Sequence, residues 1–111
     1  MGFAADELAD RVRRALPGRL DVREQKMFGG RCFMLNGHML VAPMKDGGLL
    51  VRVGKDGLAE ALTLPGAEPM TMTGRTMKGF VVVSGDALED DEALDDWIAR
   101  ARAFVETLTP K

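Results

Sequence analysis

The sequence is poor in the side chains that most often carry chemistry. It holds one cysteine, Cys32, one histidine, His38, and no tyrosine. A lone thiol closes no internal disulfide, which removes the disulfide-stapled secreted class and points to a reducing compartment. One Cys and one His also fall short of the converging ligands that a zinc or iron centre needs, so no metal and no cofactor is expected. The glycine-rich and serine-centred motifs are missing as well. No G-x-S-x-G and no G-x-G-x-x-G occurs, and Gly54-Lys55-Asp56 lacks the upstream glycine and following Ser/Thr of a phosphate cradle. The chain opens Met1-Gly2-Phe3-Ala4-Ala5-Asp6-Glu7, acidic where a signal peptide is basic, and no run approaches the length of a membrane span. A soluble, cytoplasmic protein without a membrane partner is the expectation.

A broad positive field is absent too. The net charge is −2, divided as ten Lys/Arg against seven Asp/Glu over residues 1–57 and five against ten over 58–111. The basic excess is concentrated in Arg11, Arg13, Arg14, Arg19 and Arg23. These are the candidate nucleic-acid contacts of an alternative reading, a transcriptional regulator, which the acidic whole disfavours.

What is present is enough for one folded domain. The 111 residues are 46% hydrophobic and 29% charged, which suits a single domain over 1–111 with its own core. Leu8, Val12 and Leu16 recur at helical spacing and predict an amphipathic helix over 6–16, closed by Pro17-Gly18. Strand-like runs follow at 22–28, 31–35, 38–44 and 49–53, separated by Gly29-Gly30, Asn36-Gly37 and Asp46-Gly47-Gly48. A short helix over 55–62, a loop over 64–69, an irregular extended stretch over 70–77 and a buried strand over 79–84 come next. A last helix over 91–108 carries an apolar stripe of Leu94, Trp97, Ile98, Ala101, Val105 and Leu108, with Asp90 or Asp91 as its cap. The predicted class is α+β: two layers, an antiparallel sheet of about five strands, and flanking N- and C-terminal helices.

Asn36-Gly37 is the strongest local signal, because a two-residue type I′ turn needs positive φ at both positions. It predicts the cross-strand partners Leu35 with His38, Met34 with Met39, Phe33 with Leu40 and Cys32 with Val41. One face of the hairpin then carries Phe33, Leu35, His38 and Leu40, and the other Cys32, Met34, Met39 and Val41. Both faces are apolar, whereas a solvated antiparallel sheet alternates apolar with polar. Cys32, Met34, Met39 and Val41 are therefore the candidate interaction surface. Of the eight methionines, Met27, Met34, Met39, Met44, Met70, Met72 and Met77 lie in or beside the predicted strands; they read first as core filling, and the doubly apolar hairpin raises the alternative of an adaptable binding surface, since flexible thioethers serve both. Cys32 and His38 fall on opposite faces, so a Cys–His nucleophilic pair is not expected. Cys32 reads as a small core residue, and His38 as a strand-end histidine satisfied by backbone or water.

The ordered set Met27-Phe28-Gly29-Gly30, a strand, Asn36-Gly37-His38-Met39, the strand near 49–53, the segment 77–83 before an acidic stretch, and Leu94-x-x-Trp97-Ile98-x-x-Ala101 resembles the TfoX/Sxy N-terminal domain family. The likeness covers about residues 6–108. It implies helices packed on an antiparallel sheet and a link to regulation of competence and DNA transformation in bacteria. It implies no enzyme and no cofactor. The family motif maps onto Met27, Phe28, Gly29 and Gly30. Residues and resemblance together predict a non-enzymatic regulatory or adaptor domain that works by protein contact, with self-association through the second sheet face. A small-ligand-binding domain or an uncharacterised enzyme is the third reading.

Overall fold

A computed structural model describes residues 3–16, 18, 22–27, 30–44, 47–72 and 74–109, and at 3–5, 27, 30, 72 and 75–77 the backbone only. The elements are α1 (Phe3–Ala15), β1 (Val22–Met27), β2 (Gly30–Leu35), β3 (His38–Pro43), β4 (Leu49–Arg52), α2 (Gly54–Ala61), β5 (Ala67–Met72), β6 (Arg75–Val83), a 3-10 turn (Gly85–Leu88) and α3 (Asp91–Val105). Their strands form one antiparallel sheet of order β1-β2-β3-β4-β6-β5. The α+β class holds, with six strands rather than about five.

The additional strand comes from 64–77. Residues 67–69, expected to be loop, open β5, and the irregular stretch divides into β5 and the start of β6. Pro69 argues against a strand by propensity, but β5 lies at the sheet edge, where a missing N–H costs no ladder bond. Between Pro69 and Thr71 the β5–β6 register shifts, so β6 carries extra residues around Gly79.

The helices form the second layer. Leu8, Ala9 and Val12 of α1, with Leu16 just beyond it, and Leu94, Trp97, Ile98, Ala101 and Val105 of α3 are buried in one cluster with Phe33, Leu35, Val41, Val51, Val81 and Val83 of the sheet. This is the periodicity of both helices put to use. Ala61 of α2 is buried in the same cluster, with Leu58 and Leu62 packed against it. Asp90 caps α3 as expected, its Oδ1 accepting from the Glu92 N–H at 3.0 Å.

The hairpin turn forms as predicted: Asn36 and Gly37 have φ of 54° and 85°, and the pairs Leu35–His38 and Met34–Met39 stand. Beyond them the register departs from a regular ladder. Phe33 pairs with Val41 rather than Leu40, because a β-bulge lies between Phe33 and Met34 on one side and the Leu40 region on the other. Two β3 residues, Leu40 and Val41, then oppose one on β2, and both are fully buried in the helix-covered core. Val41 is thereby moved off the second face, and the expected pair Cys32–Val41 does not form. Ala42 takes the place on the outer face that Val41 was expected to hold.

Candidate interaction surface

The second face of the sheet is a cluster of its own. Cys32, Ala42 and Leu50 are buried at its centre, with Met34, Met39, Met44, Met70, Phe80 and Val82 partly buried around them. The strand pairings explain the arrangement. Ala42, Leu50, Val82 and Glu68 line up across β3, β4, β6 and β5, while Arg23, Met34 and Met39 line up across β1, β2 and β3. Residues two apart on a strand share a face, so both rows lie opposite the helices. Of the expected surface, Cys32, Met34 and Met39 are together here, and Val41 is on the far side. Met44 and Met70 are among the methionines that the sequence offered for an adaptable surface, whereas Leu50, Phe80 and Val82 were not singled out from sequence. The signal that would have found them is alternation in β4 and β6 read against the pairing of those strands, a long-range fact that local patterning lacks.

Cys32 touches Met34, its Sγ 3.6 Å from the thioether sulfur. Burial pushes its thiol pKa up, so the reactive thiolate is disfavoured. His38 lies apart from it: its Nε2–H donates to the Thr109 carbonyl oxygen at 2.7 Å and ties the hairpin to the segment after α3. At the other end of the face, Arg52 is opposite Phe80 across β4 and β6, and its guanidinium carbon is 5.6 Å from the Phe80 ring centre and 5.5 Å from that of Phe104. The cation is shared between two rings.

The arginine cluster is spread over several intrachain contacts. Arg11 donates to the Leu88 carbonyl oxygen at 2.6 Å and to Asp91 at 3.0 Å. Arg13 bridges from α1 to β1, with Nε and Nη2 each 2.7 Å from a Glu24 oxygen, and also pairs with Asp10. That fork holds the Glu24 carboxyl below its ordinary pKa, with Arg31 adding to the effect. Arg14 Nε donates to the Asp10 carbonyl oxygen at 3.3 Å, and Arg23 is engaged within the chain. Arg19 lies outside the described residues, as do Phe28 and Gly29 of the family motif. Met27 and Gly30, the two ends of the motif, pair across β1 and β2.

Among the described residues, open clefts flank the helices. One of about 420 Å³ is lined by Arg11, Arg14, Asp91, Leu94 and Asp95, two cations against two anions. Another, about 290 Å³, lies beside Gly57, Glu60, Arg100 and Phe104. There Arg100 donates to Glu60 at 2.8 Å and to Asp96 at 3.0 Å. Among the described residues no group of three or more His, Cys, Asp or Glu is placed to hold a metal ion, and no helix is long and apolar enough to cross a membrane.

Comparison with curated proteins and with solved structures returns no significant match. The family model described as the TfoX N-terminal domain matches residues 6–105. With nearly the whole chain matched, and the helix-backed antiparallel sheet in place, this protein belongs to the TfoX N-terminal domain family.

Proposed function

We propose that this chain is a non-enzymatic regulatory domain of the competence-regulator type, acting in the bacterial cytoplasm by binding protein through the methionine-bearing face of its sheet. The observation that carries this reading is the division of labour between the faces. The helices place their buried apolar residues in one cluster, while the other sheet face presents Met34, Met39, Met44, Met70, Phe80 and Val82 with none of those helix residues among them. An apolar face rimmed by polar side chains marks a contact site, and thioethers adapt to a partner's shape. The link to competence and DNA uptake comes from family membership.

A strain lacking the gene, complemented with the wild-type chain or with Met34→Glu/Met39→Glu, tests the reading. Transcripts of the DNA-uptake genes should be restored by the first and not by the second, with the variant accumulating as a folded protein. Equal transcript levels in the deleted and complemented strains would dismiss the regulatory role.

A further inference from the structure

We draw no further inference here: the strongest candidate, the methionine-bearing sheet face around Met34, Met39 and Phe80, carries none because nothing in the structure shows what covers it, its edge cation Arg23 being engaged within the chain.

Discussion

Single side chains carry environments that can be read out separately. Cys32 is fully buried beneath the methionines, and desolvation raises its thiol pKa. Reaction with a thiol reagent at about pH 8 should therefore be at least about a hundredfold slower in the native chain than in denaturant, because it waits for local opening. Burst labelling of the native protein would contradict that placement. Glu24 makes the opposite case. Arg13 holds its folded-state pKa below the ordinary 4.5, so the stability it contributes is complete above that value and is lost as pH falls through the lower folded one. The stability difference between wild type and Glu24→Gln, measured by urea titration, should shrink between about pH 6 and about pH 3. A difference that stays level would remove the Arg13 fork as its cause.

At the scale of elements, the ends matter more than the middles. Asp90 gives the first turn of α3 its side-chain acceptor, and Asp90→Ala should cost about 1 kcal/mol in thermal or chemical denaturation. Gly54 opens α2 with φ of 79°, and a Cβ there would run into the Phe104 ring. Gly54→Ala should cost about 2–4 kcal/mol, from the left-handed backbone and the displaced ring together. Asn36-Gly37 and the stripes of α1 and α3 were legible in the sequence because their signals are local: turn chemistry within two residues and periodicity within one helix. The strand 67–72 was not, since Pro69 reads as a loop until it is known to stand at an edge. Nor was the displacement of Val41, since no residue between 38 and 43 announces a bulge. It follows from the demand of Phe33 and the helices for two large apolar side chains at one level.

The molecule as a whole has one sheet with two unlike sides. The side under the helices is an apolar core, and Phe33→Ala there should cost about 3–5 kcal/mol. Met39→Ala on the other side, where the side chain is half-buried, should cost about 1 kcal/mol in a dilute sample. The pair of measurements, made by chemical denaturation at low protein concentration, separates core from contact surface. Comparable losses would make the methionines ordinary core. The sequence already indicated both faces of the hairpin as apolar, and with them Cys32, Met34 and Met39 of the surface. Apart from Ala42 of β3 and Met44 just beyond it, the rest of that surface lies on β4, β5 and β6, whose neighbours in space are set by strand order rather than by neighbours in the chain.

The bulge at Leu40 also makes β3 a strand read in two phases. Up to Met39 the odd-numbered residue points away from the helices, and from Val41 onward the even-numbered ones do. Leu40 is the spare beat between them. Deleting it would leave Met34 opposite Met39 and Phe33 opposite Val41, with every other side chain on its present side, whereas inserting a residue after Val41 would turn Ala42 and Met44 inward and exchange the two surfaces of the strand's second half. A residue lost at the bulge leaves the pattern intact, and a residue gained beyond it inverts the pattern.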